Sequence, residues 1–188
     1  MHPICPLSVT GLRRVLFGAL IFLFGLNVQA ALADIQRFVG SYSGSAEMVE
    51  SDGTISPRDL SVTIRETQKG FSVQWTTLTH KAKGETKEST YDIDFVPSER
   101  AGVFAAAMKK NVFGHAVQLD PMKGEPYVWA RITGDTLTIY SLFVDADGGY
   151  ELQQFDRTLS QDGLDLQFNR ISDGKHQRTI EAYLKKLD

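Results

Sequence analysis

The side chains with chemical potential are scattered through this chain. His80, His115 and His176 lie far apart, with no H-x-H or H-x-x-x-H pair to offer two imidazoles to a metal. Asp145-Ala146-Asp147-Gly148-Gly149 opens like a calcium loop but lacks the later oxygen ligands and closing Glu, so it reads as a β-turn. Gly40-Ser41-Tyr42-Ser43-Gly44 has the outline of a nucleophile elbow, yet it lies inside an alternating strand instead of a strand-to-helix turn. Cys5 stands before an apolar leader, and no phosphate-cradling glycine loop is present. These residues support no catalytic group, metal site or cofactor. They point to binding.

Two sets of residues are suited to that. Lys109, Lys110, Asn111, Phe113, His115 and Lys123 mix cationic, amide and aromatic groups in the weakly patterned stretch Ser98–Pro126. Such an insert in a compact domain is usually functional, and it is expected to lie at an open end of the fold, with Phe113 and His115 as ligand contacts. Trp129, Arg131, Tyr140 and Asp156 form the second set, since a few polar anchors among aromatic rings is how small-molecule sites are built.

The elements that must carry these groups are strands. Tyr127–Thr133, Thr136–Val144, Tyr150–Leu159 and Leu164–Ile171 follow one another across hairpin-length turns at Gly134-Asp135, Asp145–Gly149 and Asp162-Gly163. No room exists for a crossover helix, so they lie antiparallel and adjacent. Before them, period-two alternation marks strands around Phe38–Met48, Leu60–Arg65, Phe71–Thr77 and Tyr91–Phe95, the last stopped by Pro97. Glycines on the apolar side of the first strand, at 40 and 44, predict tight curvature or close packing. Ile180, Tyr183, Leu184 and Leu187 stand at helical spacing and predict a short C-terminal helix, with a further strand around Gln177–Leu184 as the alternative. The expected fold is all-β: an up-and-down meander of about eight to ten strands closed into a barrel, or alternatively a two-sheet sandwich.

Turn geometry sets the register. With Gly134-Asp135 as a two-residue loop, Val128, Ala130, Ile132, Leu137, Ile139, Phe143, Phe155, Leu159, Leu166 and Phe168 share one apolar core face. Tyr127, Trp129, Tyr140, Leu142 and Leu152 then share the opposite face. They form either an aromatic patch, covered by the terminal helix or by a partner, or, if a bulge swaps the faces, a cavity wall.

The start of the chain bounds its destination. Arg13-Arg14, an apolar run from Val15 to Leu26 and small residues at Ala31-x-Ala33 make a secretory signal peptide, residues 1–33, leaving a single domain, 34–188, in the periplasm or outside the cell. The apolar run is short for a membrane span. The whole chain of 188 residues carries a net charge of −3 and no dense basic run, which argues against a nucleic-acid partner.

Phe38-Val39-Gly40-Ser41-Tyr42 resembles the first-strand Gly-x-Trp motif of the calycin superfamily, the lipocalin-like barrels, with Tyr42 in the tryptophan position. Arg157 or Arg170 would supply the arginine that packs on that aromatic in the family. What the resemblance implies is a small hydrophobic or amphipathic ligand held inside the barrel. The alternative expectation is a scaffold module that docks a homodimer mate or another protein through the aromatic outer face.

Overall fold

The computed structural model describes residues 34–49, 54–81, 84–110 and 116–188. Strands β1 (Gly40–Val49), β2 (Ile55–Thr67), β3 (Gly70–His80) and β4 (Thr86–Pro97) form an antiparallel meander. Then come β5 (Val103–Ala106), the short pair β6 (Lys109–Lys110) and β7 (Ala116–Val117), and a 3₁₀ turn at Pro121–Lys123. The second meander is β8 (Tyr127–Thr133), β9 (Thr136–Val144), β10 (Tyr150–Ser160), β11 (Gly163–Ser172) and β12 (Lys175–Leu187). Ten of these strands close into one barrel, in the order β1-β12-β11-β10-β9-β8-β5-β4-β3-β2. A single hydrogen-bonded ring replaces the sandwich alternative, with the four-residue β5 bridging β4 and β8 over a short register.

The expected register is the one observed. Ile132 pairs with Leu137, Ala130 with Ile139, and Phe155 with Ile139 from the other side. Gly134, at φ +57°, supplies the positive φ that a two-residue hairpin turn needs to match the strand twist. No register shift interrupts β8–β9–β10, so the core face stays inward and the face carrying Trp129, Arg131, Tyr140 and Asp156 stays on the outer wall. The bulge that would have turned those four into the cavity is absent from these pairings. A register shift does occur further on, between Arg170 and Ile171.

The C-terminal helix is not formed, and β12 takes its place. Ile180 and Leu184 satisfy both an i,i+4 spacing and an even spacing, so the two periods overlap in so short a stretch. Ile180, Ala182 and Leu184 turn inward, while Tyr183 and Leu187 remain about half exposed. The unpaired edges of β1 and β11 decide the matter, because a strand satisfies both and a helix would satisfy neither.

The two ends of the barrel differ. A helical turn at residues 34–36 drives Ile35 and Phe38 into one end, both fully buried. Phe71 stacks on Phe95 at 5.1 Å and meets Phe104 edge-on at 4.9 Å, with Ile64, Leu137, Leu164 and Leu184 filling the rest of this half. Tyr42 joins them and donates its hydroxyl to the Phe38 carbonyl at 2.8 Å. Chain direction places the β3–β4, β9–β10 and β11–β12 turns, and the 107–126 connection, at the opposite end.

Closure demands close approach of backbones at β1 and β11. A Cβ on Gly44 would stand 2.2 Å from the Tyr183 carbonyl oxygen, and one on Gly163 would stand 2.2 Å from that of Leu184. Gly44→Ala therefore pushes β12 off β1. The expected loss is about 1–3 kcal/mol of unfolding free energy, read as a lower denaturation midpoint, whereas Gly148→Ala on an open turn meets no atom within 4 Å and acts only through its φ of +84°.

Candidate ligand-binding site

Above the packed half, the bore opens into a cavity of about 330 Å³. That is near the lower limit for small-molecule sites, which run about 300–1,000 Å³. Strand direction orders its walls by height. Arg58, Thr79 and Lys87 lie near the open rim, with Thr77, Ser89 and Gln153 below them. A belt of Leu60, Trp75, Tyr91, Phe155, Phe168 and Ile180 follows, and Val62, Leu166 and Arg157 form the floor.

The aromatic belt is continuous. Trp75 stacks on Tyr91 at 5.3 Å, reaches across the bore to Phe155 at 5.6 Å, and Phe155 meets Phe168 at 4.7 Å. Trp75 and Phe155 belong to strands that are not neighbours in the barrel, so their contact spans the interior. Pairs of this kind add about 0.5–1.5 kcal/mol each beyond area burial, which fixes the walls before any ligand arrives.

Arg157 is the exceptional residue. It stands on β10 between Phe155 and Leu159 on the inward face, opposite Leu137 and Leu166, and only 1% of it is exposed. Its guanidinium lies 5.5 Å from the Trp75 ring centre and 5.6 Å from that of Phe155. Its Nε and Nη1 have no hydrogen-bond partner. Asp156, the adjacent acid in the chain, points outward and accepts hydrogen bonds from Thr138 (2.6 Å) and Gln154 (2.7 Å). Two desolvated cation–π contacts return about 2 kcal/mol or more apiece, against several kcal/mol for burying the cation and about 1–3 kcal/mol for each of the two unpartnered N–H groups. The cost wins.

The groups singled out in the sequence fall elsewhere. Trp129 stacks on Tyr140 at 4.8 Å and tilts against Tyr127 at 5.8 Å on the outer wall, where Arg131 is exposed. Phe113 and His115, with Asn111, lie outside the described residues. Lys109 pairs with Glu125 and holds that carboxyl below its ordinary range, and Lys123 sits 3.5 Å from Asp120. None of the described insert residues lines the cavity. His80 meets Asp59 at 2.7 Å and His176 meets Thr179 at 2.8 Å, and no cluster of metal-ligating side chains occurs among the described residues. The Gly148 N–H donates to the Asp145 carbonyl at 3.2 Å, closing a β-turn, and the Asp145 carboxylate accepts the backbone N–H groups of Asp147 and Gly149.

The cation on Tyr42 is also a different one. Lys186 lies 5.7 Å from that ring and donates to the Val39 carbonyl at 3.0 Å. Arg170 instead pairs with Glu151, and Arg157 with the Trp75 and Phe155 rings. Alternation alone places Arg157 inward, because a charged residue two positions from Phe155 and two from Leu159 shares their face. That parity was the available signal for the site.

The described strands form a closed, ten-stranded antiparallel meander barrel. The chain is similar to a solved S-type phycobiliprotein lyase from Guillardia theta, at 7% identity and a TM-score of 0.32, over 82% of this chain and 90% of that one. No family model and no curated protein matches the sequence.

Burial pushes the Arg157 guanidinium down from its ordinary value to about 10, with the charge of Asp156 opposing. At neutral pH it is still a cation. From about pH 10 up to the ordinary arginine range the unfolded chain holds more protons than the folded one, so this residue's penalty falls as pH rises through that window. Arg157→Met is accordingly expected to stabilise the ligand-free barrel at pH 7 by roughly 1–4 kcal/mol. Denaturant unfolding should show that advantage shrinking above pH 10; a destabilised variant at pH 7 would contradict the assignment.

Proposed function

We propose that this chain is an exported carrier that holds a small amphipathic ligand in the open half of its barrel. The observation that carries the reading is the 330 Å³ cavity, walled by aromatic rings and set above a solid floor. A barrel serving only as a scaffold gains stability from filling that space, since unfilled volume forfeits dispersion contacts on every lining side chain. The polar groups near the rim surround the entrance, and the aromatic belt beneath them suits an apolar body. Export rests on the basic, apolar and small-residue pattern of positions 1–33. N-terminal sequencing of protein recovered after export is expected to begin at Asp34; a retained leader would remove that part of the reading.

The chain holds two tryptophans, so Trp129→Phe leaves Trp75 as the sole reporter inside the cavity. In that variant, the neutral fluorophore N-phenyl-1-naphthylamine is expected to quench Trp75 emission saturably at a 1:1 ratio. Native mass spectrometry of freshly purified protein should show a small molecule released by organic extraction. A bare mass together with no saturable quenching overturns the carrier reading.

A second reading follows from the outer wall. Tyr127, 37% exposed, continues the Trp129–Tyr140 stack as an aromatic surface of the kind that contacts another protein. Sedimentation separates the two: Trp129→Ala changes the oligomeric state only if this surface is an interface.

A further inference from the structure

We infer that the ligand is an amphipathic acid, a carboxylate on an apolar body, which enters acid first and pairs with Arg157 at the cavity floor. This rests on the carrier reading and specifies its ligand. The first support is a charge census of the cavity. Its lining carries three cations, Arg58, Lys87 and Arg157, and no carboxylate. The chain as a whole has 23 acidic residues against 20 basic ones, so the lining reverses the overall balance.

The second support is the state of Arg157. A guanidinium cannot shed its proton at neutral pH, so it cannot escape burial by neutralising itself. Ring faces cradle it but leave Nε and Nη1 without acceptors. Asp156 is turned to the outer wall and engaged there by Thr138 and Gln154. The missing partner is an anion delivered through the bore. Charge-assisted hydrogen bonds in so dry a place are about twice as strong as neutral ones. A neutral ligand would leave the charge unmatched and shut it further from water.

Polarity along the bore gives the orientation. Trp75 and Phe155 flank the Arg157 guanidinium and, with Phe168 and Leu60, suit an apolar body, while Thr79, Lys87 and Gln153 lie toward the mouth. The buried cation, not the rim cations, is the one whose pairing gains most, because exposed ion pairs contribute little.

Decanoate and decanol, matched in length, test the assignment by displacing N-phenyl-1-naphthylamine from the Trp129→Phe protein, with isothermal titration of decanoate as a direct check. Decanoate is expected to displace the probe at a concentration at least tenfold below that of decanol. In Arg157→Met the preference should vanish while the neutral probe still binds; Arg157→Lys should keep part of it, and Lys87→Met nearly all. Equal displacement by acid and alcohol, or a preference that survives Arg157→Met, overturns the acid-first assignment and leaves the carrier reading standing. No binding of the neutral probe and no heat with decanoate overturns both.

Discussion

The pairing of the first strand with the last is the constraint on which everything else depends. Without β12, β1 and β11 each present a row of unpaired backbone groups, and the meander is an open sheet. With it, one face of every strand becomes interior at once. The fit is tight: Gly44 and Gly163 pass so close to the β12 carbonyls that any side chain would collide with the Tyr183 or Leu184 backbone. Lys186, reaching back over Tyr42 to the Val39 carbonyl, ties the same closure to the start of the domain.

A closed ring still leaves open how its bore is filled, and here the two halves follow different logic. The half plugged by Ile35 and Phe38 is a conventional core of interlocking phenylalanines and branched aliphatics. The other half alternates aromatic rings with hydroxyls and cations around empty space. Arg157 sits at the boundary. Its burial works against stability, and the cation–π contacts with Trp75 and Phe155 offset only part of the cost. A residue that burdens the ligand-free fold in this way fits a site completed by something else.

The outer wall shows why the aromatic set at Trp129 and Tyr140 attracts attention in the sequence without entering the bore. Both are large, both alternate with small or apolar neighbours, and composition alone gives them an equal claim to either face. Parity decides. Val128, Ala130 and Ile132 are buried to within 9% of full burial, so their odd-numbered neighbours must face out. Arg157 obeys the same rule in the opposite sense, held inward by Phe155 and Leu159 despite its charge. Its role as a cavity cation, not a partner for Tyr42, depends on which strands face each other across the bore.

Local pattern alone determined the strands from Tyr127 to Ile171, their turns, their register and their apolar face, because hairpin connections leave neighbouring strands a single antiparallel arrangement. It also marked Gly44 as a point of close approach. The state of the C-terminus was decided by tertiary structure: residues 180–187 carry both periods, and only the waiting edges of β1 and β11 select the strand. The cavity was decided there too. Whether Trp75 meets Phe155, and whether Arg157 lies beneath them, depends on contacts about 80 residues apart across a closed ring, and no local periodicity encodes which side chains meet in its middle.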